Sequence, residues 1–90
     1  MITDHQKEVM IIAQEEAAEV IQEISKVFRF GIDDCHRDGM THRQRLETEI
    51  GDLLCMIDLM MDHRLIDPVS VEIARQAKIT KLRQYSNLFQ

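Results

Sequence analysis

The stretch THRQRLETEIGDLLCMIDLMMDHR, residues 41–64, decides the fold class. Thr41 followed by Gln44 is a capping-box pattern, and Leu46, Ile50, Leu53, Ile57 and Met60 keep returning to one helical face. A helix is predicted from Thr41 to about Arg64. One residue on that face is out of place. At about 100° per residue, Glu49 projects between Leu53 and Met56, with Asp52 one step towards the edge. Glu49 is expected to be substantially buried. An unpaired buried carboxylate costs several kcal/mol, so it should be protonated, ion-paired or bound to metal.

Upstream, Val9, Ala13, Ala17, Val20, Ile24 and Val27 mark a second helical stripe, from about Thr3 or Asp4 to Phe30, with Gly31 ending it. Such a helix would be about 40 Å long, more than a compact chain of this size needs, which implies a kink or a partner subunit. Glu15, Glu16 and Glu19 fall within one turn, and Glu16 and Glu19 project beside Ile12 and Glu23 along the margin of the stripe. From Gly31 to Met40 the periodicity stops and a loop is predicted. Downstream, Asp67 then Pro68 is an N-cap with proline at the first helical position, opening a third helix to Tyr85 with a basic tail of Arg75, Lys78, Lys81 and Arg83. The helix macrodipole alone is a sufficient reason for some of those cations.

Composition agrees with an all-α chain. The 90 residues are 44% hydrophobic with one Pro and three Gly, too little punctuation for a many-turned β fold, and they suit one domain over residues 1–90. A core this small is marginal alone or is finished by another copy. The net charge of −5 argues against polymeric nucleic acid as a partner. Cys35 and Cys55 form no CxxC pair, Cys55 reads as a small core hydrophobe, and no apolar run is long enough to span a bilayer. A cytoplasmic protein, neither secreted nor membrane-bound, is expected.

Two antiparallel helices can bring acidic pairs at i,i+3 face to face. Four converging carboxylates raise one another's pKa unless a divalent cation intervenes, and Mg²⁺, which takes all-oxygen ligands and keeps positions open for water or phosphate, suits them best. The ordinary alternatives are a solvated face for Glu15, Glu16 and Glu19, and an ion pair with Arg45 or a lysine of the third helix for Glu49. A di-iron bundle lacks its Glu-x-x-His motifs, and Cys35, His36 and His42 read as loop residues rather than zinc ligands. Met56, Met60 and Met61 read as core.

The acids stand in a known order. Glu15-Glu16-Ala17-Ala18-Glu19, then 29 residues, then Glu49-Ile50-Gly51-Asp52, resembles the EExxE…ExxD signature of the MazG-like all-α nucleoside triphosphate pyrophosphohydrolases. Gly51-Asp52-Leu53-Leu54 and Lys78-Ile79-Thr80-Lys81-Leu82-Arg83 look like the family's continuation of its second motif and its basic C-terminal segment. The resemblance implies long helices in an antiparallel bundle completed by oligomerisation as a homodimer or homotetramer. It implies hydrolysis of (deoxy)nucleoside triphosphates to monophosphate and pyrophosphate, for nucleotide pool cleansing or supply. Glu16, Glu19, Glu49 and Asp52 would hold Mg²⁺, with Mn²⁺ as a possible substitute, and Glu16 and Glu49 would act in catalysis. Glu15 would orient the attacking water or stand behind the metal ligands. Lys78 and Lys81, with Arg83 as a weaker helper, would contact the triphosphate. Phe28, Phe30 and the loop through His36 are candidates for the base, or for packing against a partner subunit. The alternative is a non-catalytic helical interaction or regulatory module that keeps the fold.

Overall fold

The computed structural model describes residues 1–35 and 38–90, and holds three helices: α1 (Asp4–Phe30), α2 (His42–Asp62) and α3 (Pro68–Tyr85). Each start follows from a local device. Thr3 and Gln6 form a reciprocal capping box at α1, the Gln6 N–H donating to Thr3 Oγ1 at 3.1 Å and the Thr3 N–H to Gln6 Oε1 at 2.9 Å. Thr41 and Gln44 repeat it at α2, with the same two distances. At α3 the Asp67 carboxylate accepts the Ser70 N–H at 3.2 Å, and Pro68 supplies the preset φ of the first turn.

The ends are equally local. Gly31 sits at φ 99°, open to glycine and strained for other residues, while its N–H donates to Val27 O at 2.9 Å. α2 stops at Asp62, two residues short of the expected Arg64, because the chain turns there: Arg64 adopts φ 61° and its N–H donates to Met61 O at 3.0 Å. The loop from Gly31 is tied back onto the start of α2. Arg43 N–H donates to Ile32 O at 2.8 Å, its guanidinium pairs with Asp33, and Arg45 pairs with Asp38.

Among the described residues the packing is chiefly that of α1 against α2. Val9, Ala13 and Met56 form the buried cluster, flanked by Ile12, Leu59, Met60 and Leu65. The pairings run in reverse order along the two helices: the Gln6 side chain donates to His63 O at 2.7 Å, Ala13 shares the cluster with Met56, and Glu23 meets His42. Burying a Met56-sized side chain contributes about 2 kcal/mol. By contrast α3 buries no residue, and Val69 and Ile73 on it are more than 60% exposed.

The result is thin. The Cα trace measures 44 × 37 × 14 Å, with a radius of gyration of 16.1 Å where a compact chain of this length has about 12 Å. Three expectations change accordingly. Cys55 is exposed rather than core, because it lies beside Leu54 on the side of α2 turned away from α1. Ile24 and Ile50, read as stripe residues, are exposed because no helix among the described residues covers them. Glu49 is half-buried, not deeply buried, since only α1 shields it. No helix among the described residues is long and apolar enough to cross a membrane.

Candidate metal centre

The Ala13–Met56 contact sets where the acids fall. Glu16 lies one turn beyond Ala13 on α1, and Glu49 and Asp52 lie one to two turns before Met56 on the same face of α2. Oxygens from Glu16, Glu49 and Asp52 consequently all lie within 4.8 Å of one another, Glu16 and Glu49 half-buried and Asp52 exposed.

This convergence leaves an electrostatic mark on Glu49, whose carboxyl is pushed above the usual carboxylate range. Partial burial is the largest cause, followed by the charges of Glu19, Asp52, Glu16 and Glu23. Glu19 is exposed and outside the three-acid group, yet it exerts the strongest charge effect on Glu49. No basic side chain among the described residues forms an ion pair with Glu16, Glu19, Glu49 or Asp52. Arg45 pairs with Asp38, Lys26 with Glu23 and Arg75 with Glu72, so neither Arg45 nor a lysine of α3 neutralises Glu49.

The donor set fits a hard divalent cation: all oxygen, several negative charges, and one exposed side left for water or a phosphate. Mg²⁺ held by Glu16, Glu49 and Asp52, with Glu19 within electrostatic reach, would offset the charge repulsion that adds to burial in raising Glu49.

The other expected site residues are not gathered by this chain. Glu15 is exposed and lies outside the three-acid group. Lys78 and Lys81 are exposed on α3, which does not pack over the acids, and the Arg83 guanidinium lies over the Phe89 ring at 5.4 Å. Phe28 is 84% exposed. Phe30 instead stacks on His42, ring centroids 5.6 Å apart, with the Arg29 guanidinium 4.9 Å from its centroid. His36 lies outside the described residues. An open concavity of about 450 Å³ at the α2–α3 elbow, lined by Met61, Arg64, Leu65, Asp67 and Pro68 among others, contains none of Glu16, Glu19, Glu49 and Asp52.

Sequence reasoning missed one pair. Glu23 is 4% exposed and His42 2% exposed, with Glu23 Oε2 3.9 Å from His42 Nδ1 and Glu23 Oε1 held by Lys26 Nζ at 3.3 Å. The signal was present in part, since Glu23 continues the acidic margin of α1 one turn beyond Glu19. Nothing in the pattern around His42, the first residue of α2, announced its burial. When the chain is compared with protein-family models, curated proteins and solved structures, no family model, no curated protein and no solved structure matches it.

Proposed function

We propose that the chain is a Mg²⁺-dependent nucleoside triphosphate pyrophosphohydrolase of the MazG-like kind, active in the cytoplasm as a homo-oligomer. It would cleave (deoxy)nucleoside triphosphates to monophosphate and pyrophosphate for nucleotide pool cleansing or supply. The observation that carries this reading is the convergence of Glu16, Glu49 and Asp52 within 4.8 Å without a basic partner among the described residues.

In this reading Glu16, Glu19, Glu49 and Asp52 hold the cation, with Mn²⁺ as a substitute. Mg²⁺ supplies charge neutralisation at the phosphate oxygens and a lowered pKa for the attacking water. The rest falls to the chain. Glu49, half-buried between Glu16 and Asp52, would be the central ligand. Glu15, on the exposed side next to Glu16, orients the water. The exposed Phe28 ring is open to stack on a base, whereas Phe30 is engaged with His42.

The test is product identity. Folded protein with Mg²⁺ should release pyrophosphate rather than orthophosphate from at least one of a panel of canonical and modified (deoxy)nucleoside triphosphates. No release across the panel sinks the reading. The exposed apolar side chains of α3 favour a second one, a non-catalytic interaction module. It predicts that millimolar Mg²⁺ plus nucleotide leaves the melting temperature unchanged, whereas a working site gains several degrees.

A further inference from the structure

The acids of the candidate centre lie on a stripe that continues past them. On α1, Glu16, Glu19, Glu23 and Lys26 follow one another at spacings of three, four and three residues, which at about 100° per residue keeps them on one side of the helix. Lys7 and Arg29, the other cations of α1, project about 140° or more from Glu16. Lys26 is the basic residue of α1 that shares the acid-bearing side.

Its head group is held towards the centre. Helical side chains lean back towards the N-terminus, so the Lys26 stem runs towards Glu23 and the acids before it. There Nζ donates to Glu23 Oε1 at 3.3 Å. Glu23 makes a firm anchor, being 4% exposed, with its other oxygen 3.9 Å from His42 Nδ1 on α2. Its charge is also among those felt by Glu49, which puts the anchor within electrostatic reach of the centre. The Lys26 side chain keeps 37% of its surface exposed, so it is anchored without being enclosed. Among the described residues Glu23 takes one of the three ammonium donors, which leaves two.

The charge of the centre calls for such a group. Glu16, Glu19, Glu49 and Asp52 carry four negative charges, one Mg²⁺ offsets two of them, and a polyphosphate brings more. The arginines at the start of α2 are engaged elsewhere, Arg43 with Asp33 and Arg45 with Asp38, and α3 does not pack its lysines over the acids. The level of Glu23, where the Lys26 ammonium sits, is about 6 Å along the axis from Glu19. A polyphosphate anchored at the acids can bridge that gap.

We infer that Lys26 binds the phosphate chain of the substrate and that Glu23 is the positioning residue that aims it. Lys26 thereby takes on α1 the part expected of Lys78 and Lys81 on α3. This rests on the proposed hydrolase reading.

The probe is inorganic tripolyphosphate with Mg²⁺, titrated calorimetrically into the full chain. Lys26→Met, which keeps the stem and removes the charge, should weaken its binding about tenfold or more, the scale of a charge-assisted hydrogen bond. Affinity for Mg²⁺ alone should not fall, since a neighbouring positive charge has been removed. Lys26→Arg, which keeps the charge, should recover most of the loss. If Lys26 served only to neutralise Glu23, the double variant Glu23→Gln/Lys26→Met would bind the probe as the wild type does, whereas the inference expects it to stay weak. The double variant also lacks the stranded carboxylate that could unfold the single one. Wild-type affinity in either variant overturns the inference and leaves the hydrolase reading, which pyrophosphate release by the wild type decides separately. If the wild type neither binds the probe nor releases pyrophosphate, both fall.

Discussion

The hairpin of α1 and α2 and the helix α3 are equally regular, but they are held in different ways. The first two bury Val9, Ala13 and Met56 against each other and share the Glu23–His42 pair, whereas α3 rests on its own cap and its own Glu72–Arg75 bond. An isolated helix of 18 residues is only marginally stable in water, so α3 draws little from this chain beyond its local signals. Caps decide where a helix begins; a packing partner decides where it lies.

The comparison breaks most easily at its small core. Met56→Ala should cost about 2–5 kcal/mol in urea unfolding, since no second buried cluster among the described residues backs up the first, while Cys55→Ala next to it should stay within about 0.5 kcal/mol. A loss at Cys55 as large as at Met56 would mean that the outer face of α2 is covered as firmly as the inner one. Glu49→Gln should separate function from stability. Turnover should fall by about two orders of magnitude or more, the scale for removing a preorganised electrostatic group. In metal-free protein the same change should raise the melting temperature, because it removes one of the charges that repel at the site. Thr41→Ala should cost about 1 kcal/mol by removing one arm of the capping box.

The smallest effect is acid fraying, and it should be selective. α1 and α2 are capped by threonine hydroxyls, which do not titrate, but α3 is capped by Asp67, held below its ordinary 3.8 by hydrogen bonds from the Ser70 side chain and backbone. Glu72 is likewise pulled from 4.5 to about 2, chiefly by hydrogen bonding from Arg75 and then Gln76. Both values are lower folded than unfolded. Their support for α3 is therefore present above those ordinary values and is lost as pH falls through the folded ones. Amide resonances of α3 should broaden or exchange first between pH 4 and 2, and uniform loss across the three helices would show that α3 is no weaker than the hairpin.

The helices were legible because their signals are short-range. Thr41 with Gln44, Asp67 with Pro68, and Gly31 each act within a turn, so boundaries followed to within about two residues. Projection put Glu16 and Glu19 on the margin of the α1 stripe, Glu49 on the apolar face of α2 and Asp52 towards its edge; of the four, Glu16, Glu49 and Asp52 lie together. What could not be read was which apolar face each helix covers. α1 carries Ile21, Ile24 and Phe28 as well as Val9 and Ala13, and only the placement of α2 shows that the former stay exposed. The same gap hid the outward turn of Cys55 and the burial of His42. It also left Lys78 and Lys81 unplaced, because their position depends on what α3 packs against.

The buried Glu23–His42 pair has a consequence for how the two helices can slide. Moving α2 by one turn against α1 would carry His42 away from Glu23 and bring Leu46, four residues on, towards the carboxylate in its place. Glu23 would then keep only Lys26 as a partner, with its other oxygen buried against an apolar group, whereas the Val9–Ala13–Met56 contacts, being apolar and adaptable, would tolerate a slip better. The pair thus acts as a key that admits one register. Because the acids of the candidate centre sit on the same two helices a turn or two away, the key fixes the distance between Glu16 and Glu49 without touching either.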